Sequence, residues 1–297
     1  MTKALVLSGG GLVGIAWEIG MVAGLARGGV DVRDADFITG TSAGSAVGAQ
    51  LALGRDPEEL VSRQRQIGST SAQGSSSGSS AGGPSGEQMA KLFAVMAQAM
   101  TAEGPAEARR ATIGRFALEA DSLPEDQFVA SFRYLKGEAW PAGFACTAVD
   151  ALSGEFAVWS AEAGVELDRA VASSCAVPGL FAPISVKGRR YIDGGMRSGT
   201  NADLATGHDR VLIISLWGAS RATGAQSPGT PFGHLDSEIA ALTESGSMVE
   251  VIGADEASAQ AIGVNVMDPS LIPSALDAGI RQGESEARRL REFWSGG

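Results

Sequence analysis

The stretch Leu5–Gly14, LVLSGGGLVG, decides the fold, because it joins an apolar run directly to three consecutive glycines and one more. Gly9, Gly11 and Gly14 fit the spacing G-x-G-x-x-G, which is typical of a dinucleotide-binding turn at the start of a helix. Ala4–Leu7 is therefore predicted to be a short buried strand that leads into a helix. The question is whether this glycine backbone faces a pyrophosphate or another negative charge.

Composition places the chain among folded globular proteins. The 297 residues are 44% hydrophobic and 19% charged, and we expect one domain over 1–297 with its own core. A formal net charge of −11 would repel the phosphates of nucleic acid. The sequence therefore argues against nucleic acid as a partner. Cys146 and Cys175 are the only cysteines and form no metal-binding pattern, which favours a reduced, cytoplasmic protein.

Targeting and membrane signals are weak in this sequence. The apolar run at Ala4–Leu7 is too short for a signal peptide, and no segment approaches the about 20 apolar residues that a membrane span needs. We therefore expect a protein that does not cross a membrane. Transient contact with a membrane surface stays compatible with the sequence, which sets no oligomeric state.

Strands and helices alternate along the first quarter of the chain. Asp36–Thr39 is a second strand candidate, and it runs through Gly40–Gly44, GTSAG, into a helix of small residues. This alternation predicts an α/β fold, with a central, mostly parallel sheet between layers of helices. Further strand candidates are Phe144–Val149, Glu155–Trp159, Arg190–Ile192, Val211–Trp217 and Val264–Met267.

Three other segments have distinctive compositions. Residues 69–86 are rich in Gly and Ser and are predicted to be a flexible insertion. The helical stripe that follows, from Met89 to Met100, either packs on the core or acts as a lid beside the active site. The charged helix around Glu284–Phe293 is expected to form a solvated outer layer.

The segment Gly40–Gly44 has the pattern G-x-S-x-G at a predicted strand-to-helix turn. Small neighbours allow a tight bend there, which would project Ser42 from the sheet at a helix N-terminus, so Ser42 is the candidate nucleophile. The same pattern occurs at 74–78 and 78–82. No strand precedes either of those copies, and we interpret them as chance matches.

The first glycine loop then has another use. In a dinucleotide fold an acidic residue would follow the second strand, whereas this strand runs into the Ser42 turn. The backbone amides of Gly9, Gly10 and Gly11 could instead stabilise the oxyanion of a tetrahedral intermediate. A close-packed turn without a ligand is the alternative.

A nucleophilic serine needs a base, and the sequence offers three candidates. Asp193, which a predicted strand carries into Gly194 and Gly195, could accept the proton if it is partly desolvated. His208 and His234 are the only histidines, and a Ser42–Asp193–His208 order would also fit a triad.

Together these motifs resemble the patatin-like phospholipase family. The resemblance rests on GGGLVG at 9–14, GTSAG at 40–44, ASSCAVPGLFAPI at 172–184 and DGG at 193–195, in the family's order. It implies a three-layer α/β/α fold and a metal-independent, cofactor-free acyl hydrolase with lipid esters as substrates. By this resemblance, Ser42 would be the nucleophile, Asp193 its dyad partner and Gly9–Gly11 the oxyanion hole.

The resemblance assigns supporting roles as well, and it has one departure. Gly14, Gly40, Gly44, Gly194 and Gly195 would support the motifs. Many family members carry Arg or Lys at the position of Val13, so ester hydrolysis is a firmer expectation here than phospholipid specificity.

We therefore predict a serine acyl hydrolase that cleaves carboxylic esters of lipids. An acyltransferase with the same two residues, in which an alcohol replaces water, is the alternative within enzymes. A nucleotide-binding regulatory module that uses the GGGLVG loop is the alternative from a different class.

Overall fold

One eight-stranded sheet organises the described chain. The computed structural model describes residues 1–74, 86–217 and 234–295. The strands are β1 (Lys3–Leu7), β2 (Phe37–Gly40), β3 (Phe144–Asp150), β4 (Phe156–Trp159), β5 (Ile184–Val186), β6 (Arg189–Asp193), β7 (Arg210–Ser215) and β8 (Met248–Gly253). Their order is β5-β6-β3-β2-β1-β7-β8, with β4 also paired to β3.

Helices cover both faces of this sheet. The described helices are α1 (Gly11–Arg27), α2 (Ala43–Ala52), α3 (Pro57–Gly74), α4 (Gly86–Thr101), α5 (Ala106–Glu119), α6 (Glu125–Val129), α7 (Leu167–Ser174), α8 (Leu235–Glu244), α9 (Glu256–Ile262) and α10 (Ile272–Ser295). Leu5 and Leu7 of β1 point into the core beneath α1, whereas Ala4 and Val6 point to the opposite face. This alternation, with period two along a strand, buries the sheet on both sides.

The predicted α/β architecture is confirmed. The central strands β3, β2, β1, β7 and β8 are parallel neighbours. The antiparallel pairs are β3 with β4, β3 with β6 and β5 with β6. Parallel strands must be linked by crossovers, so their carboxyl ends meet at one edge of the sheet. The glycine loop after β1 and the Ser42 turn after β2 therefore lie side by side.

One predicted strand was wrong, and one observed strand was missed. Residues Val264–Met267 are not a strand, because their backbone lies across the start of α1, where the Val266 carbonyl accepts the Val13 amide at 3.0 Å. The last strand is instead β8, which pairs with β7 at the edge of the sheet. Its half-exposed, mixed sequence MVEVIG gave a weaker pattern than a buried strand would.

The first residues of the predicted flexible insertion are helical. Helix α3 continues to Gly74 and α4 begins at Gly86, so the rest of the predicted insertion at 69–86 lies outside the described residues, as do nearly all of the two chance G-x-S-x-G matches. The Met89–Met100 stripe packs on the core through Leu92 and Met96, while Phe93 is exposed.

The C-terminal helix is more than a solvated layer. One face of α10 is buried against α1 along its length, down to Trp294, which is 2% exposed. A Cβ on Gly24 would lie 2.3 Å from the Ile280 carbonyl oxygen, and one on Gly283 would lie 2.3 Å from the Met21 carbonyl oxygen. Only glycine allows these two helix backbones to approach so closely.

Candidate active site

Two strand ends converge beside β3. Strand β2 runs parallel to β3 and ends with Gly40 opposite Cys146, while β6 runs antiparallel and ends with Asp193 opposite Ala148. The two partners on β3 are only two residues apart. The turn that carries Ser42 and the turn that begins at Asp193 therefore meet.

Ser42 occupies a strained turn between β2 and α2. Its φ of 51° and ψ of −118° lie where a non-glycine residue pays on the order of 1–3 kcal/mol. Both flanking glycines are required, because a Cβ on Gly40 would lie 2.3 Å from the Gly44 carbonyl oxygen and one on Gly44 would lie 2.2 Å from the Leu7 carbonyl oxygen. The bend places Ser42 at the N-cap of α2, where the helix dipole favours negative charge.

The Asp193 carboxylate lies beside the Ser42 hydroxyl, which favours the charged form of the carboxylate. Both residues are nearly covered, with Ser42 8% and Asp193 3% exposed. Burial raises the pKa of Asp193 to about 7, although the Ser42 hydroxyl and the hydrogen bond from the Gly195 amide lower it. A carboxyl group with a pKa near neutrality is suited to accept and return a proton at pH 7.

The DGG glycines hold the Asp193 turn close to its neighbours. The Gly195 amide donates to Asp193 Oδ1 at 2.7 Å, and a Cβ on Gly195 would lie 2.9 Å from the same oxygen. A Cβ on Gly194 would lie 2.1 Å from Thr147 Oγ1. A side chain on Gly195 would displace the carboxylate and one on Gly194 would clash with Thr147, so both glycines are explained by close approach.

The glycine loop corrects one part of the prediction. The Gly9 amide donates to the Gly199 carbonyl at 2.8 Å, so it is not free for an oxyanion. Within 1–74, 86–217 and 234–295, the amides of Gly10 and Gly11 have no acceptor. Gly9 lies next to the Ser42 turn, and a Cβ there would be 3.4 Å from Ser42 Cβ, which is an ordinary contact distance.

Gly11 and Gly14 differ in how strictly they are needed. Gly11 has a φ of +62°, and a Cβ there would lie 2.8 Å from the Val266 carbonyl oxygen and from Met267 Sδ. At Gly14 the nearest atom to a Cβ would be Ala43 Cβ, at 3.6 Å, so a methyl group would fit. The motif position of Gly14 is therefore not a steric requirement.

The segment around Cys175 packs beneath the Ser42 turn. Ser174 Oγ accepts the Ser42 amide at 3.0 Å, and the Cys175 thiol donates to the Ser42 carbonyl at 3.1 Å. Burial raises the pKa of Cys175 above its usual range, and the Asp193 charge adds to this rise. A neutral thiol donates to the turn and is not a nucleophile.

The histidines lie elsewhere. The His208 ring stacks on Phe37 with 5.3 Å between ring centroids, and its Nδ1 lies 3.0 Å from the Ala205 carbonyl oxygen. Phe37 begins β2, so about five extended residues, or roughly 15 Å, separate it from the Ser42 turn. His234 is exposed at the start of α8. The structure therefore brings Asp193, and not His208, to Ser42.

Several supporting residues were missed by sequence reasoning. They are Gly199, which accepts the Gly9 amide, Val266 and Met267, which cover Gly11, and Glu238, which binds the loop before Asn201. For Glu238 a signal existed, because it shares a helical face with the buried Leu242. A carboxylate on the apolar side of a helix indicates a specific partner.

In 1–74, 86–217 and 234–295, no three or more His, Cys, Asp and Glu side chains are grouped so that they could hold a metal ion. No helix in those ranges is both long and apolar enough to cross a bilayer.

Two solved structures resemble this chain at low sequence identity. No curated protein matches the chain. Among solved structures, VipD from Legionella pneumophila is 14% identical with a TM-score of 0.47, over 97% of this chain and 67% of that one. The type III effector ExoU is 17% identical with a TM-score of 0.42, over 97% of this chain and 53% of that one.

The family model supplies the assignment. The model of the patatin-like phospholipases matches residues 5–206, which is more than half of the chain and includes the glycine loop, the Ser42 turn and the Asp193 turn. The chain belongs to the patatin-like phospholipase family.

Proposed function

We propose that the chain is a serine acyl hydrolase that cleaves carboxylic esters of lipids, with Ser42 as nucleophile and Asp193 as general base. The observation that carries this proposal is the convergence of two strand ends on β3, which brings the Ser42 turn beside the buried Asp193 carboxylate. Burial raises the pKa of Asp193 to about 7. Membership of the patatin-like phospholipase family supports lipid hydrolase activity.

The first half of the reaction forms an acyl-enzyme. Ser42 Oγ attacks the ester carbonyl carbon while Asp193 takes the hydroxyl proton, which gives a tetrahedral intermediate. The amides of Gly10 and Gly11 would bind its oxyanion, and each such donor typically contributes a few kcal/mol. Asp193 then gives the proton to the leaving alkoxide, so that the alcohol departs and the acyl group stays on Ser42.

The second half regenerates the enzyme. Asp193 accepts a proton from water as the water oxygen attacks the acyl carbonyl, and the same amides bind the second oxyanion. The intermediate collapses by breaking its bond to Ser42 Oγ, which recovers the proton from Asp193. A carboxylic acid is released, and every proton taken up has been returned.

The structure says less about the head group of the lipid substrate than about ester cleavage. Val13 stands where many family members carry a cation, and it is fully buried, so this position offers no charge to a phosphate. We therefore expect simple acyl esters to be cleaved as well as phospholipids.

A fluorophosphonate probe together with a chain-length series of nitrophenyl esters tests the proposal. We expect covalent modification of Ser42, seen by mass spectrometry, and ester hydrolysis that Ser42→Ala abolishes. Matched phospholipids in the same panel report on head group, and release of free acid rather than acylation of an added alcohol separates hydrolase from acyltransferase. An unmodified Ser42 with tight NAD(P) binding would favour the regulatory module instead.

A further inference from the structure

The loop Ser198–Ala202, here called the bracket loop, touches all three parts of the candidate site. The Gly199 carbonyl accepts the Gly9 amide at 2.8 Å, which fixes the glycine loop. Asn201 Nδ2 donates to Thr41 Oγ1 at 3.0 Å, in the Ser42 turn, and lies 3.4 Å from the Gly194 carbonyl oxygen, in the Asp193 turn. Its conformation therefore affects the relative positions of nucleophile, base and oxyanion donors.

The bracket loop is not a relaxed turn. Asn201 is fully buried and has a φ of +48°, in the left-handed region that non-glycine residues rarely adopt. Its side chain also binds the Ser198 carbonyl at 2.8 Å and accepts from Arg197 at 2.8 Å. A strained conformation of this kind persists only where its surroundings hold it.

Glu238 of α8 supplies that support from outside the family-matched region. Its Oε2 accepts the Thr200 hydroxyl at 2.5 Å and the Ala202 amide at 2.9 Å. The side chain is only 6% exposed, and in the described part of the chain no cation forms an ion pair with it. Both of its hydrogen bonds go to donors of the bracket loop, and hydrogen bonds to a charged acceptor are the stronger kind.

We propose that Glu238 is a positioning residue of the active site, which holds the bracket loop so that Gly9, Thr41 and Gly194 keep their places around Ser42. Glu238 acts through the loop and does not touch the reacting atoms. The proposal rests on the proposed hydrolase function. A misplacement of about 1 Å at a reacting centre can cost on the order of 100-fold in rate.

The test separates rate from amount of active protein. The full chain and its variants are mixed with a fluorophosphonate, and both the rate and the final fraction of labelled Ser42 are followed, beside kcat and KM on nitrophenyl butyrate. For Glu238→Ala we expect full labelling that is about 10–100-fold slower, kcat lower by a similar factor and KM within about twofold. Glu238→Gln keeps an acceptor and should stay within about fivefold of wild type.

The matched control is Glu244→Ala, which removes an exposed carboxylate from the same helix and should behave as wild type. Normal labelling and kcat in Glu238→Ala would overturn the proposal, as would a lower labelled fraction that reacts at the normal rate. If Glu238→Ala does not fold, Thr200→Val removes one of the two hydrogen bonds, and an unchanged rate in that variant would overturn it. A wild-type chain that is never labelled at Ser42 contradicts the hydrolase function itself.

Discussion

The candidate active site at the ends of β2 and β6, here called the strand-end site, and the packed pair of helices α1 and α10 both need glycines for close approach, but with different consequences. At Gly195 a Cβ would meet the Asp193 carboxylate at 2.9 Å, whereas at Gly24 it would meet the backbone of α10 at 2.3 Å. In the first region close approach sets the hydrogen bonds of a reacting group. In the second it only lets two helices pack, so the same residue type should control activity in one place and stability in the other.

Each region also buries a carboxyl group. Asp193 accepts the Gly195 amide at 2.7 Å and lies beside the Ser42 hydroxyl, and burial raises its pKa to about 7. Glu18 of α1 is fully buried, and within the described residues neither of its oxygens has a hydrogen bond of normal geometry. Burial raises its pKa well above the usual value, and the Ser8 backbone lowers it by less. Burial raises the pKa of both carboxyls, but of the two only Asp193 has a backbone donor at 2.7 Å and a serine hydroxyl beside it.

The largest separation of activity from stability is expected for Gly195→Ala. The new methyl group would push the Asp193 carboxylate from its place, and we expect kcat to fall about 100-fold while the melting temperature changes by less than about 2 °C. Kinetics on nitrophenyl butyrate and thermal denaturation measure the two quantities. Gly86→Ala, where nothing lies within 4 Å of the new Cβ, is the control, and an unchanged kcat in Gly195→Ala would break the comparison.

The Asp193 carboxyl predicts the pH dependence of the reaction. A general base must be ionised, so kcat/KM should be constant above its pKa of about 7 and fall about tenfold per pH unit below it, which is about 100-fold by pH 5. Initial rates on a neutral ester between pH 5 and 9 give this profile. A flat profile from pH 5 to 8 would argue against a buried carboxylate base.

The opposite pattern is expected for Gly24→Ala in the helix pair. Overpacking against the Ile280 carbonyl should cost about 1–3 kcal/mol or more and lower the melting temperature by roughly 5–10 °C. The kcat per labelled Ser42 should stay within about twofold of wild type. A loss of kcat that matches the Gly195→Ala loss would show that the two regions are not separable.

A smaller effect, and of opposite sign, is expected for Glu18→Gln. Because the folded-state pKa of Glu18 is raised, folding keeps the proton that the unfolded chain releases, so stability falls as pH rises above about 4.5. The neutral amide removes this loss. We expect a melting temperature a few degrees above wild type at pH 8 and little difference at pH 4.5, and a lower value at pH 8 would contradict the unpaired burial of Glu18.

The strand-end site was largely predictable because its motifs are local. A strand followed by G-x-S-x-G forces a tight turn, and a strand that ends in Asp193-Gly194-Gly195 brings a carboxylate into the same neighbourhood. The sequence could not show which amides of the glycine loop are free to bind an oxyanion. The Gly9 amide is taken by the Gly199 carbonyl, which lies more than 180 residues away along the chain.

The helix pair was missed because its signal is tertiary. Gly20 and Gly24 lower helix propensity, and nothing local indicates that Gly279 and Gly283 face them across the interface. The charged face of α10 suggested a solvated helix, while its buried face emerges only when α1 is placed opposite. The Val264–Met267 segment failed for a similar reason, since its apolar residues cover Gly11 rather than pair in the sheet.

The central claim is that Asp193, and not a histidine, activates Ser42, and kcat/KM of Asp193→Asn tests it most directly. An amide cannot take the proton at neutral pH, so we expect a loss of about 1,000-fold, close to that of Ser42→Ala. His208→Ala and His234→Ala should keep most of the activity, with circular dichroism confirming that all four variants are folded. Full activity in Asp193→Asn, or a fall of His208→Ala to the level of Ser42→Ala, would contradict the account.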